Sequence, residues 1–190
     1  MANEGQAIAL NANNHAKMLD YLRQTRYPGR DVLIYLLTVK AGMRIGSIAG
    51  LMIDDVLNTD GSIKEVVILR RSITKGKKTI TAYLSHPELK AALVVFLRER
   101  GEKRVGNLFV SQKGSAFSPN SLSQLMLKHY NNAGIEGASS HSGRRTAITT
   151  WLKNGGDIVA VSKLAGHSSI LTTQRYVHHN QEELMSLVSQ

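Results

Sequence analysis

At 190 residues the chain is long enough to bury a substantial core and is close to the size of one domain. It contains no cysteine, which excludes disulfide frameworks, cysteine nucleophiles and thiolate metal sites. Twenty-four Lys and Arg against 14 Asp and Glu give a net charge of +10, which favours a polyanionic partner or an anionic membrane surface but says nothing about fold.

Residues 1–14 are small and polar and read as a flexible arm. Met18, Leu19 and Leu22 share one face of a short helix over 15–24, for which Asn14 is the expected cap. "YPGRD" breaks the pattern. "DVLIYLLTVKAGMRIGSIAGLM" then resumes it as a helix capped by Asp31 and ending at Gly42, followed by a second turn and helix with Arg44 at the junction. In the middle the period changes to that of strands: "EVVILR" at 65–70 and "TITAYL" at 79–84, joined through a basic segment that turns at Gly76. Asp60 and Gly61 make an earlier turn after a further short strand near 55–57. "HPELKAALVVFLRERG" at 86–101 returns to helix, with Pro87 in the first turn and Gly101 at the end. An extended stretch at 108–110 and a helix at 120–132 follow. Four helical pieces complete the chain, at 142–154, 157–164, 169–177 and 181–189, divided by Gly155 and Gly156, by Gly166, and by residues 178–180. The pattern predicts an α+β, mostly helical domain with a small antiparallel β-sheet inserted after the first helices.

Several residues stand out chemically. Arg44 follows Gly42 between two apolar neighbours, Met43 and Ile45, so buried flanks can hold its guanidinium in a fixed pose toward a phosphate. Residues 70–78 hold Arg70, Arg71, Lys75, Lys77 and Lys78 with no acid among them, which fits either a solvated hairpin tip or a phosphate contact. In "SSHSGRRTAITTWLKNGG", His141 and Arg144 are three positions apart at a helix start, where the first backbone N–H groups also attract anions. His167 follows Gly166 in "GHSS", and Tyr176 follows Arg175. A zinc site built from His167, His178 and His179 is discounted, because no HExxH is present and the 11-residue spacing between His167 and His178 fits no short metal motif.

Each of these signals is short, but their order is specific. From "AGMRIGSIAGL" through "TKGKKTITAYL", "HSGRRTAIT" and "LAGHSSILTTQRY", the chain closely resembles the catalytic domain of the tyrosine site-specific recombinases, the phage integrase family, from about residue 15 to the end. The resemblance implies that fold, and it implies catalytic roles for Arg44, Lys75, His141, Arg144 and His167 with Tyr176 as nucleophile. Lys77 and Lys78 are rivals for the lysine role, although the family's lysine precedes the glycine, as Lys75 does. One position departs: members typically carry a carboxylate three residues after the first arginine, where this chain has Ser47, which can still accept a hydrogen bond.

The resemblance further implies a DNA strand transferase working through a 3′-phosphotyrosine, in integration, excision or inversion, with no cofactor and no metal. Double-stranded DNA is the expected partner, with assembly to a dimer or tetramer on it and an accessory DNA-bending protein. Arg70, Arg71, Lys77, Lys78, Lys113, Ser121, Gln124, Lys128 and Arg145 are the expected DNA-contacting residues. The expected organisation is an arm over 1–14, a catalytic domain over 15–180 and a C-terminal helix over 181–190 that either folds back on its own domain or is exchanged between protomers, without the N-terminal core-binding domain that typical members carry. A DNA-binding regulator of reduced or no activity is the alternative. No run of about 18 apolar residues and no leader peptide is seen, so a cytoplasmic, nucleoid-associated protein is expected.

Overall fold

The structure, a computed structural model, describes residues 7–101, 105–177 and 185. It divides into two compact units, Met1–Ala147 and Ile148–Gln190.

The first unit begins with α1 (Ala12–Leu22), which buries Met18, Leu19 and Leu22 as the sequence pattern requires. Its cap is Asn11 and not Asn14: the Asn11 side chain accepts the Asn14 amide at 2.8 Å, so the helix starts three residues earlier than expected. The segment before it is anchored, since Leu10 is buried and donates its amide to Thr146 Oγ1 at 2.7 Å. Next comes α2 (Pro28–Val39), with Tyr27 at its N-cap position making no side-chain cap and Pro28 as its first residue. Asp31, expected as its cap, lies inside the first turn and is 2 % exposed, accepting from Arg30 Nε at 2.8 Å and Thr25 Oγ1 at 2.9 Å. Leu33, Ile34, Leu36 and Leu37 are all buried, so apolar contacts surround this helix and make it the centre of the unit.

Two short helices follow, α3 (Ile45–Ala49) and α4 (Ile53–Val56). The second replaces the strand expected near 55–57. Asp55 accepts the Met52 amide at 2.8 Å, a local bond that favours a helical turn, and only Leu57 pairs in extended fashion, bridging to Ile63 across the Asp60 turn. Strands β1 (Val66–Leu69) and β2 (Ile80–Tyr83) pair antiparallel with Val67 opposite Ala82 and Leu69 opposite Ile80. The period of two sends Val67, Leu69 and Ala82 inward while Val66, Ile68 and Tyr83 face solvent. The chain continues as α5 (Pro87–Arg100), with His86 as cap, Pro87 in the first turn and Gly101 at φ 74° closing it, and α6 (Pro119–Asn132), capped by Ser118. The division between the units falls within α7 (Ser142–Lys153).

In the second unit, α8 (Ile158–Ala165) is capped by Asp157, whose carboxylate accepts the Val159 and Ala160 amides, and ends at Gly166 in the left-handed conformation. Ile148, Val161 and Ala165 form its core, with Trp151, Leu152 and Tyr176 packed on them. The last described helix, α9 (Ile170–Gln174), is shorter than the predicted 169–177, so Tyr176 follows the helix in a turn. His178, His179 and, apart from Met185, the expected C-terminal helix over 181–190 lie outside the described residues. Among the described residues no helix is long and apolar enough to cross a membrane.

Candidate active site

Arg44 occupies the cap position of α3, with extended backbone at φ −71° and ψ 141°. Met43 and Ile45 on either side are buried, so the backbone is gripped while the side chain stays partly exposed. The sharp entry comes from Gly42 at φ 61°, a conformation that glycine adopts without strain. The Gly42 carbonyl accepts a hydrogen bond from Arg144 Nη1 at 2.5 Å, and Arg144 is only 9 % exposed. A guanidinium buried to that degree must have fixed acceptors, so this bond orients Arg144 and ties it to the turn that presents Arg44.

The start of α7 sits close against the centre of the unit. A Cβ on Gly143 would lie 2.0 Å from Thr38 Oγ1 of α2, so only glycine fits there. Tyr130, buried in α6, pairs with the Gly143 backbone and the Thr38 hydroxyl, and burial pushes its phenol well above the ordinary tyrosine range. His141 precedes the helix with an exposed side chain; its carbonyl accepts the Arg145 amide at 2.9 Å and its own amide donates to Ser139 Oγ at 3.2 Å. Arg145 is half-buried.

Lys75 lies in an exposed loop between the strands, after a 3-10 turn over Arg71–Ile73. Gly76 and Lys77 follow it with φ of 80° and 52°, two consecutive left-handed residues that reverse the chain sharply. The turn is closed by Thr74, which is buried and donates from Oγ1 to the Lys78 carbonyl at 2.5 Å. Ser47, where the family usually has an acid, is 2 % exposed and donates its hydroxyl to the Ile73 carbonyl at 2.8 Å. The sequence marked this serine as an acceptor; the structure uses it as a donor.

The second unit holds the other two residues. His167 and Tyr176 stack with ring centroids 6.0 Å apart and planes within 19°. His167 Nδ1 meets Thr173 Oγ1 at 2.8 Å, and Thr173 has no exposed surface. Sequence reading passed over Thr173, although its place three residues before Tyr176 puts both on one side of a helical turn. The six catalytic candidates thus fall into two sets: Arg44, Lys75, His141 and Arg144 in the first unit, His167 and Tyr176 in the second.

Of the expected DNA-contacting residues, Arg70, Arg71, Lys77, Lys78, Lys113, Ser121, Gln124 and Lys128 are exposed. Ser121 completes the cap of α6, its amide and hydroxyl both directed to Ser118. Arg70 has its Nη2 on the Gly50 carbonyl at 2.8 Å and on Asp55 Oδ2 at 3.0 Å, which makes it a brace between β1 and the α3–α4 region.

The sequence matches the family model described as the Phage integrase family over residues 9–183. It is 31% identical over 166 residues to the tyrosine recombinase XerC of Caldanaerobacter subterraneus subsp. tengcongensis, covering 84% of this chain and 44% of that protein. It is 32% identical over 160 residues to the XerC of Methylobacterium sp. strain 4-46, covering 83% of this chain and 48% of that protein. The chain therefore spans about half the length of the curated relatives it matches. Among solved structures, the fold superimposes on XerA recombinase with a TM-score of 0.73 at 24% identity, over 97% of this chain and 65% of that one. It also superimposes on the catalytic domain of bacteriophage HP1 integrase with a TM-score of 0.65 at 21% identity, over 97% and 95%. The chain belongs to the phage integrase family and has the fold of its tyrosine-recombinase catalytic domain.

Proposed function

We propose that the chain is a site-specific DNA recombinase that cuts and rejoins strands through a 3′-phosphotyrosine at Tyr176, with a catalytic domain that runs to residue 180 and takes in α1 and the anchored Leu10 before it, and with 181–190 as a helix exchanged between protomers. The observation that supports this most is the hydrogen bond from Arg144 to the Gly42 carbonyl. It links two arginines far apart in sequence at one turn, as a clamp on a single phosphate requires.

In this reading Tyr176 Oη attacks phosphorus, the bond to the 5′-oxygen breaks, and the phosphodiester energy is kept in the new P–O bond for religation. Arg44 and Arg144 donate to the non-bridging oxygens as their charge grows, and His167 adds a further hydrogen bond. Lys75 gives its proton to the departing 5′-oxygen, while His141 accepts or orients the phenolic proton. The phenol must give up its proton as the new P–O bond forms, so cations bound to the same phosphate are needed to favour phenolate as it develops. Removing one such donor costs on the order of 3 kcal/mol in the barrier.

Double-stranded DNA is the proposed partner, with assembly to a dimer or tetramer on it, assisted by a DNA-bending protein. Several solved relatives of this fold, integrases of the transposon Tn1549, are described as complexes with DNA. Arg70, Arg71, Lys77, Lys78, Lys113, Gln124, Lys128 and Arg145 are the proposed DNA-facing residues.

Covalent trapping tests the assignment. The chain is incubated with nicked duplexes selected from a random pool, and the products are run on denaturing gels. A DNA adduct is expected with the wild-type chain and none with Tyr176→Phe, while both bind the selected duplex equally. An adduct that survives in the phenylalanine variant places the nucleophile elsewhere, and binding without any wild-type adduct makes the chain a DNA-binding regulator.

A further inference from the structure

Ser47 is 2 % exposed, and both of its donors are directed at other parts of the candidate active site. Its amide donates to the Arg44 carbonyl at 2.9 Å, and its hydroxyl donates to the Ile73 carbonyl at 2.8 Å. Ile73 stands two residues ahead of Lys75. One residue thus connects the backbone that carries Arg44 with the backbone that carries Lys75.

Other contacts brace the same junction. Arg70 Nη2 donates to the Gly50 carbonyl at 2.8 Å, at the far end of α3. A Cβ on Gly50 would lie 2.4 Å from Ile73 Cγ2, so the absence of a side chain at Gly50 lets Ile73 lie directly on the helix end. Beyond Ile73, the Thr74 hydroxyl holds the Lys78 carbonyl and fixes the loop as a unit. Lys75, Gly76, Lys77 and Lys78 are themselves exposed, so the loop takes its position from this inner edge.

We propose that Ser47 is a positioning residue that sets Lys75 at a fixed distance from Arg44, and that this chain uses a hydroxyl because the atom to be held is a carbonyl oxygen. A carboxylate offers only lone pairs toward another acceptor. At position 47 it would repel the Ile73 carbonyl and bear the cost of burial without a donor from that side. The neutral side chain also leaves the positive charges of Arg44 and Lys75 undiminished for an incoming phosphate. This inference rests on the reading that both cations serve phosphodiester cleavage.

The test uses the full chain as Ser47→Ala, Ser47→Thr and Ser47→Asp, beside wild type and Lys75→Ala. Single-turnover cleavage is measured on the trapped duplex with its ordinary 5′-oxygen and on one with sulfur at that leaving position. A thiolate leaves without a proton, so its departure does not depend on where the lysine sits. Loss of one buried hydrogen bond predicts that the alanine variant cleaves the oxygen substrate about tenfold more slowly. On the sulfur substrate, that variant and Lys75→Ala should both approach the wild-type rate. Threonine should keep most of the activity on both substrates, and aspartate should fall below alanine on oxygen. An alanine variant equally slow on both substrates, or as fast as wild type, overturns the proposal, as does an aspartate variant faster than alanine. Amide hydrogen exchange at Ile73 and Lys77 is followed on the same proteins without DNA. Faster exchange in alanine but not threonine is expected, and unchanged exchange in both refutes the anchoring. If the wild-type chain forms no adduct with any pooled duplex, the recombinase reading falls, and the exchange data still decide whether Ser47 holds the loop.

Discussion

Thr173 has no exposed surface, and its hydroxyl lies 2.8 Å from Nδ1 of His167. The direction of that bond decides what the imidazole can do. If Thr173 donates, Nδ1 carries the lone pair and the ring proton resides on Nε2, which makes that nitrogen the donor that a phosphate oxygen needs. The stack of His167 on Tyr176 would then bring a fixed donor beside the proposed nucleophile. Thr173→Val keeps the shape and removes the hydroxyl, so the ring loses its tautomer preference. Strand cleavage is expected to slow by about tenfold or more, with a stability loss near 1 kcal/mol and DNA affinity unchanged. Thr173→Ser should restore the rate. Single-turnover kinetics beside a filter-binding assay separate the two effects, and a valine variant that cleaves at the wild-type rate would remove Thr173 from the chemistry.

Short elements owe their shape to what docks on them. A helix of five residues such as α3 has no stability in isolation, so its geometry is imposed by the Arg70, Ser47 and Ile73 contacts described above. This is also where sequence reading is weakest. The ends of α5 were legible because His86, Pro87 and Gly101 act locally, each through its own backbone conformation or cap. The start of α1 was not, because Asn11 and Asn14 are equally good caps and only tertiary packing of Leu10 selects between them. Asp31 looked like a cap because a buried acid cannot be told from a capping one until its partners are seen. The junction of α2 and α7 gives a direct test of how tightly elements meet. An added methyl at Gly143 would collide with Thr38 Oγ1 of α2, within reach of the Tyr130 hydroxyl. Gly143→Ala should therefore destabilise the protein by about 1–3 kcal/mol, read as a lower midpoint in chemical denaturation. A Thr38→Ala change in the same chain should recover part of the loss, because it removes the colliding hydroxyl.

At the scale of the whole molecule, the catalytic candidates stand out in the sequence as an ordered series of short boxes, while the contacts made by their neighbours do not. Ser47 with Ile73 and His129 with Asp31 join positions whose separation in sequence carries no signal of contact. Asp31 is one of three buried or half-buried groups through which the fold responds to acid. Burial pushes the Asp31 carboxyl up, but contacts from His129, with Nε2 3.5 Å away, and from Arg30 outweigh it and hold the group below its ordinary value. Burial likewise raises Glu88, and the Lys40 ammonium at 2.9 Å with His15 and His86 nearby brings it below the usual carboxylate range. His15 is lowered, first by burial and then by Lys40, in spite of Glu88. Each folded-state value lies beneath its unfolded counterpart, so each group stabilises the fold above the unfolded value and ceases to do so as pH falls through the folded one. His15 acts first, from about 6.5 downward, and the two carboxylates follow below about 4. Urea midpoints followed by circular dichroism should thus fall slightly between about pH 7 and pH 5, then steeply toward pH 3. Asp31→Asn should be less stable at neutral pH by on the order of 3 kcal/mol, because it leaves Arg30 and His129 without their acid. Its deficit should shrink as the wild-type carboxylate becomes protonated. Parallel curves for the two proteins down to pH 3 would show that Asp31 does not set the acid limit.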